Sequence, residues 1–321
     1  MGPRARRARR PRAAVVTPPS GRTVTVVGSA NVDTTLRVPR LPGAGETILS
    51  SQQLVSPGGK GANQAAAAAW HGAEVSFVGA TGTDPAAVTA LANLRALGVD
   101  VAGVAALPGA ATGSAVLLVA EDAENVIIVS PGANHALEPE HVARALSAGT
   151  ARVLLTQLET PLSVLAECAT HSEIPWRILN PAPTQLDGGF TAVLDRFNVL
   201  VPNRTELGQL ARRPEPRTLH DVAECVAALG FGGTMIVTLG AAGAAVFTRG
   251  AHGAPDVIAP PAVAPVDTSG AGDVFCGVLA AELAAHDDVL RAARAAVAIS
   301  AASTERRGAQ LAAGTELTVT L

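Results

Sequence analysis

Short apolar runs alternate with helical patterns along most of the chain, and this alternation limits the possible folds more than any other feature. The runs at Val24–Gly28, Val75–Gly79, Val153–Gln157, Arg177–Asn180, Val199–Val201 and Met235–Leu239 are continuous rather than alternating. They read as parallel strands buried on both faces. Helical patterns lie between and after them, at Gly61–Trp70, Pro85–Leu97, Pro139–Ala148, Pro161–His171, Arg204–Ala211, Leu219–Leu229, Val274–Ala285 and Val289–Thr304. Strand followed by helix, repeated, implies a parallel sheet covered by helices on both sides. Two regions break the rhythm. Leu36–Ser56 is extended with a break at Pro42-Gly43, and Gly113–Ala120 with Asn125–Ser130 forms a strand pair around a polar turn. Neither runs directly into a covering helix. They are expected to form a small separate sheet, a lid over the ligand cleft, with strands near 34–56 and 113–130. The chain is therefore expected to be a single domain over 23–321, preceded by a tail over 1–22.

The strand ends and helix starts carry the chemistry. Asp267-Thr268-Ser269-Gly270-Ala271-Gly272-Asp273 follows a Pro-punctuated stretch and runs into the helical pattern at Val274. Small residues at Gly270, Ala271 and Gly272 leave backbone N–H groups uncovered at a helix start, which makes an anion site. Asp273 places a carboxylate beside it. An anion hole next to a base suits transfer of a phosphoryl group to a hydroxyl. A plain turn followed by a first-turn acid would explain an isolated Gly-x-Gly, but not a match at six fixed positions. A second small-residue loop, Ser56-Pro57-Gly58-Gly59-Lys60-Gly61-Ala62-Asn63-Gln64, precedes the alanine run at 65–69. It is not a Walker A loop, since Gly61 rather than Ser or Thr follows the lysine. Lys60 is the only lysine in the chain. A compact ammonium among glycines marks a place where a planar guanidinium does not fit. Asn31 and Asp33, just past the first strand, face the same side of an extended segment and can bind a polyhydroxylated ligand. Glu159, at a later strand end, adds an acid to the same cleft.

Composition removes several alternatives. The formal net charge is −3, so no global field attracts nucleic acid or an anionic membrane. No apolar run approaches the ~18 residues of a membrane span. Aromatics make up 2% and tyrosine is absent, which argues against a base-stacking platform. Cys168, Cys225 and Cys276 are far apart and read as reduced, buried thiols of a cytoplasmic protein. Cys276, one turn past Asp273, reads as packing, with a place in the lining of the site as the weaker alternative. The histidines show no i, i+4 pair, so a zinc site is not expected. Arg4, Arg6, Arg7, Arg9, Arg10 and Arg12 form a basic start without an apolar core, so it is not a secretory signal. It reads as a disordered tail or an upstream start codon, with a transit peptide or nucleic-acid arm as weaker alternatives.

Together these segments resemble the ribokinase (PfkB-type) family of sugar kinases, from about Val24 to Gln310. Asp-Thr-x-Gly-Ala-Gly-Asp matches its late signature and Pro-Gly-Gly-Lys-Gly-Ala-Asn-Gln its early one. Further matches lie at Gly28–Asp33, Pro131–Asn134, Gln157–Glu159, Asn180–Pro183, Pro202–Glu206, Thr238–Gly240 and Arg307–Gln310. The resemblance implies a three-layer α/β/α sandwich with a mainly parallel central sheet and a small β-sheet lid. It implies ATP-dependent phosphorylation of D-ribose at the 5-hydroxyl. By the same resemblance Asp273 is the base, and the amides of Gly270, Ala271 and Gly272 hold the moving phosphoryl group. Asn31, Asp33, Gly59, Lys60, Asn63 and Glu159 grip the sugar. Asn203 and Glu206 serve the ATP phosphates and Mg2+, and Thr238, Gly240 and Gly243 contact the nucleotide. A K+ site is implied at Asp267, Ser269, Ser303, Arg306 and Gly308, mostly through carbonyls. Leu311-Ala312-Ala313 departs from the family's Pro-Ser segment there. The resemblance also implies a homodimer formed through the lid, which would cover exposed sheet edges. Two alternatives stay open: a kinase of another acceptor (a nucleoside such as adenosine, another ketose, or a deoxy sugar), and a sugar-binding protein of this fold without catalysis.

Overall fold

The computed structural model describes residues 21–122, 124–184, 189–249 and 254–318. Arg4, Arg6, Arg7, Arg9, Arg10 and Arg12 of the tail lie outside these residues. In chain order the main elements are β1 (Thr23–Val27), β2 (Asn31–Val38), β3 (Gln52–Gly58), α1 (Lys60–Trp70), β4 (Glu74–Thr81), α2 (Ala86–Ala96), β5 (Val104–Ala106), β6 (Gly113–Ala120), β7 (Asn125–Ser130), α3 (Pro139–Ser147) and β8 (Val153–Thr156). They continue with α4 (Leu162–Cys168), β9 (Trp176–Leu179), α5 (Phe190–Leu194), β10 (Val199–Leu200), α6 (Arg204–Leu210), α7 (Leu219–Leu229), β11 (Thr234–Thr238), β12 (Ala244–Phe247), β13 (Asp256–Ile258), α8 (Ala271–His286) and α9 (Val289–Ser303).

The central sheet has nine strands in the order β13-β12-β11-β10-β9-β8-β1-β4-β5. From β5 to β11 every neighbour is parallel, and β12 turns the far edge antiparallel. Side-chain alternation divides the core into two layers. Val24, Val26, Val153, Leu155, Ile178 and Ile236 face α1, α2, α8 and α9. Val27, Leu154, Leu179, Leu200, Met235 and Val237 face α3 to α7. Continuous apolar runs are what a sheet covered on both faces requires, and the expected three-layer sandwich is what forms.

β3, β2, β6 and β7 make a separate four-stranded sheet. The small sheet begins before the expected 34, with Asn31 and Asp33 among its first residues. They do not extend the first strand, which ends at Val27; they open β2, with Asn31 registered against Gly58 on one side and Gly113 on the other. β5, β12, β13 and α5 were not foreseen.

α1 and α8 pack side by side. Gly277 of α8 lies where a Cβ would run into the Gln64 carbonyl, so only glycine lets the two helices approach this closely. Their N-termini therefore arrive together at the carboxyl end of the strands.

Candidate active site

α8 starts earlier than its apolar pattern suggests. Gly270 is its N-cap, with φ 72°, and Ala271, Gly272 and Asp273 form its first turn. No side chain caps it; the Ala271 amide donates to the Thr268 carbonyl at 3.2 Å, and no side chain covers the amides of Gly270 and Gly272. A Cβ at Gly270 would run into the Ala309 carbonyl, whereas a Cβ at Gly272 would meet nothing within 4 Å. The fold demands glycine at 270. At 272 it does not, so the bareness there serves whatever approaches the helix end.

Asp273 is buried and held by two carboxamides. Asn63 Nδ2 donates to its Oδ2 at 2.9 Å and Gln64 Nε2 to its Oδ1 at 3.0 Å. Both donors come from α1, whose N-cap Gly59, at φ 87°, offers no side-chain cap; Glu159 and Ser29 accept from its first amides instead. Around the same point stand Lys60, Glu159 and Asp33. Glu159 Oε2 accepts from the Ser29 hydroxyl and, at 3.0 Å, from the Lys60 amide. A Cβ at Gly58 would overlap the Asp33 carboxylate, so this glycine gives Asp33 its room. Burial, then Glu159, then Asp273 push the Asp33 carboxyl up to about 6, and its Oδ1 is buried without a partner. That orphaned acceptor suits a ligand hydroxyl.

Among the described residues Lys60 forms no ion pair, although Asp273 first, then Glu159 and Glu206, raise its pKa against the effect of burial. The ammonium is thus surrounded by negative charge yet left available to an anion. A cavity of about 300 Å³ connects Lys60, Glu206, Thr238, Gly240, Gly272 and Asp273. Cys276 lines it while also packing in the core, and burial holds its thiol well above the usual range. A second cavity of about 660 Å³ begins at Thr238, Gly240, Gly243 and Gly272 and continues along Pro260, Val263, Phe275 and Val297. Its apolar walls suit a flat heterocycle.

Asn203 and Glu206 also have a purely local role: they form the capping box of α6. Asn203 Oδ1 accepts from the Glu206 amide at 2.8 Å, and Glu206 Oε2 accepts from the Asn203 amide at 2.9 Å. Asp267 Oδ1 accepts from the Ser269 amide and Oδ2 from the Gly308 amide, both at 2.9 Å, which brings those three residues together. Ser303 and Arg306 turn their side chains elsewhere, to the Ser300 and Glu316 carbonyls. Only backbone oxygens of these two remain for a cation. Among the described residues no cluster of His, Cys, Asp and Glu could hold a metal ion unaided.

Several functional residues carried no role in the sequence reading. Gln64, Gln157 and Asn180 form a buried amide network behind Asp273. Asn134 donates to Asn31 Oδ1 at 2.7 Å and so orients it, while Gly113 gives both side chains room. All lie within or beside the motif segments; their signal was an uncharged amide at a strand end or helix start.

A sheet with ligand groups at its strand ends, a helix start without a side-chain cap and a carboxylate in its first turn define a phosphoryl-transfer fold and site. The chain belongs to the pfkB family of carbohydrate kinases, whose model matches residues 22–316. It is similar to the ribokinase of Haemophilus influenzae, with 33% identity over 299 residues, covering 90% of this chain and 94% of that protein. It is similar to the deoxyribokinase of Salmonella typhimurium, with 33% identity, covering 89% and 94%. The solved structure of Arabidopsis thaliana ribokinase complexed with ribose and ATP superposes with a TM-score of 0.79 at 31% identity, covering 90% of this chain and 94% of that one.

Proposed function

We propose that this chain transfers the γ-phosphoryl group of ATP to the 5-hydroxyl of D-ribose, giving D-ribose 5-phosphate and ADP. One observation carries the reading: Asp273 sits in the first turn of α8, between two carboxamide donors and beside uncapped amides. The hydroxyl oxygen attacks phosphorus, the bond from phosphorus to the β–γ bridging oxygen breaks, and the hydroxyl proton passes to Asp273. The amides of Gly270, Ala271 and Gly272, with Lys60, meet the charge on the moving group. Asn31, Asp33, Gly59, Asn63 and Glu159 orient the sugar. Thr238, Gly240 and Gly243 start the nucleotide cleft, and the apolar cavity takes the base.

Glu206 is a half-buried oxygen donor at the phosphate cavity, so the site suits Mg2+; both its oxygens already accept from Asn203, so Asn203 and Glu206 would hold the ion through its water shell. When bound, that cation offsets charge on the β- and γ-phosphates. The oxygen-only set of Asp267 with the carbonyls of Ser269, Ser303, Arg306 and Gly308 suits K+, which would steady the anion loop. The small sheet acts as a lid, and pairing of two lids gives a homodimer. Three free, buried cysteines fit a cytoplasmic location. Among the described residues no helix is long and apolar enough to cross a membrane.

The deoxyribokinase relative makes 2-deoxyribose the second acceptor to weigh. Turnover with ATP–Mg2+ of ribose, 2-deoxyribose, fructose and adenosine tests the proposal. Ribose should give the highest kcat/KM. A tenfold preference for another acceptor would replace ribose, and ribose binding without transfer would leave a binding protein.

A further inference from the structure

The carboxamides behind Asp273 form a chain whose orientation is decided at one end. The Val201 carbonyl can only accept, so Asn180 turns its Nδ2 toward it, at 2.9 Å. Asn180 then presents Oδ1 to Gln64, which must answer with Nε2, at 3.1 Å. The second hydrogen of that NH2 group goes to Asp273 Oδ1, at 3.0 Å. Gln64 Oε1 is thereby turned away from the base, and it accepts from Gln157 Nε2 at 2.7 Å. Flipping Gln64 would set oxygen against oxygen at both Asn180 and Asp273.

Stability alone does not account for this arrangement. Gln64 is 0% exposed and Gln157 1%. Gln157 Oε1 is buried without a partner and lies against Gly28, where a Cβ would collide with it. An unsatisfied buried carbonyl costs about 1–3 kcal/mol, and an apolar side chain would avoid that cost. A glycine and an unpaired oxygen are retained to keep one N–H aimed at Gln64.

We propose that Gln64 is the positioning residue of the base. It fixes the plane of the Asp273 carboxylate so that the remaining lone pairs face the acceptor hydroxyl, and Gln157 fixes Gln64. The inference rests on the reading of Asp273 as the base. Gln64 touches the base rather than the sugar, so its loss moves the chemical step and not sugar affinity.

Steady-state kinetics of Gln64→Met, Gln157→Met, their double variant and Asp273→Asn test it, with ribose and ATP–Mg2+ as substrates. Gln64→Met should lower kcat about 10- to 100-fold, the scale of a misplaced reacting group. Gln157→Met should lower it about 3- to 10-fold, with KM for both substrates within about threefold in each case. The double variant should be no slower than Gln64→Met alone, because Gln157 acts through Gln64. Wild-type kcat in both single variants, a change in KM alone, or additive losses would overturn the proposal. If Gln64→Met does not fold, the kcat of Gln157→Met decides alone. Asp273→Asn separates the two levels: if it keeps wild-type kcat, the reading of the base fails. If it is inactive while both amide variants turn over normally, only the positioning role fails.

Discussion

Asp33 shows how one residue's setting becomes a pH dependence. Its carboxyl titrates near 6 rather than 3.8, because burial and then the charges of Glu159 and Asp273 oppose ionisation. Between those values the folded chain holds a proton that the unfolded chain has lost. This group's contribution to stability therefore falls as pH rises from 3.8 to about 6. A ligand hydroxyl donating to Asp33 favours the ionised form, so sugar binding has the opposite dependence. KM for ribose should rise as pH falls below about 6. Asp33→Asn should raise KM at neutral pH by about tenfold, the loss of one charged hydrogen bond, and flatten that dependence. A wild-type KM that stays constant from pH 7 to 5 would remove Asp33 from the sugar site. The charged members of the site were legible in sequence because an acid or lysine beside glycines at a strand end has few structural explanations. Gln64, Gln157, Asn180 and Asn134 were not, because a carboxamide looks the same whether it faces water or orders a buried network. Only the meeting of α1, β8 and β9 distinguishes the two.

At the scale of elements, the first turn of α8 separates what folding needs from what chemistry needs. Gly270 takes a left-handed φ of 72° with the Ala309 carbonyl where a Cβ would go. Gly270→Ala should destabilise the protein by about 1–3 kcal/mol, read as a lower denaturant midpoint. Gly272 has open space at its Cβ position and no positive φ. Gly272→Ala should leave stability unchanged or raise it by up to about 1 kcal/mol, since alanine restricts the unfolded chain. It should nevertheless lower kcat at least about tenfold, because the methyl occupies the approach to the amides. Loss of stability without loss of kcat would reverse the assignment. The buried parallel strands and longer helices were legible because continuous apolar runs and helical periodicity differ. β12, Ala244–Phe247, was not: two of its four residues are alanine, and it owes its place to β11 and to α9 beneath it. β5 and β13, three residues each, and α5, five residues, are too short to show a period. α8 begins three residues before its apolar pattern, because glycine and aspartate at the start serve the site rather than the core.

Taken whole, the molecule divides the site between two bodies. Asn31 and Asp33 ride on β2 of the small sheet, while Lys60 and Asp273 start helices that pack on the large one. Chemistry requires the two to stay in register, yet the small sheet has little covering of its own. β7 is its edge strand, and Val126, Ile127, Ile128 and Val129 are 40–60% exposed, pointing to both faces. An apolar edge strand left open is a template for unwanted pairing. A second copy laid against this strand would cover the apolar faces and steady β2, two strands away. Ile128→Lys places a charge in the middle of that edge. It should convert a dimer into a monomer in sedimentation velocity, with little change in melting temperature, because Ile128 is 60% exposed and belongs to neither core layer. The monomer should show a KM for ribose several-fold higher and a kcat closer to wild type, since the groups disturbed bind sugar while the base stays on α8. A wild-type protein that sediments as a monomer, or a variant that stays dimeric with unchanged KM, would leave β7 outside the interface.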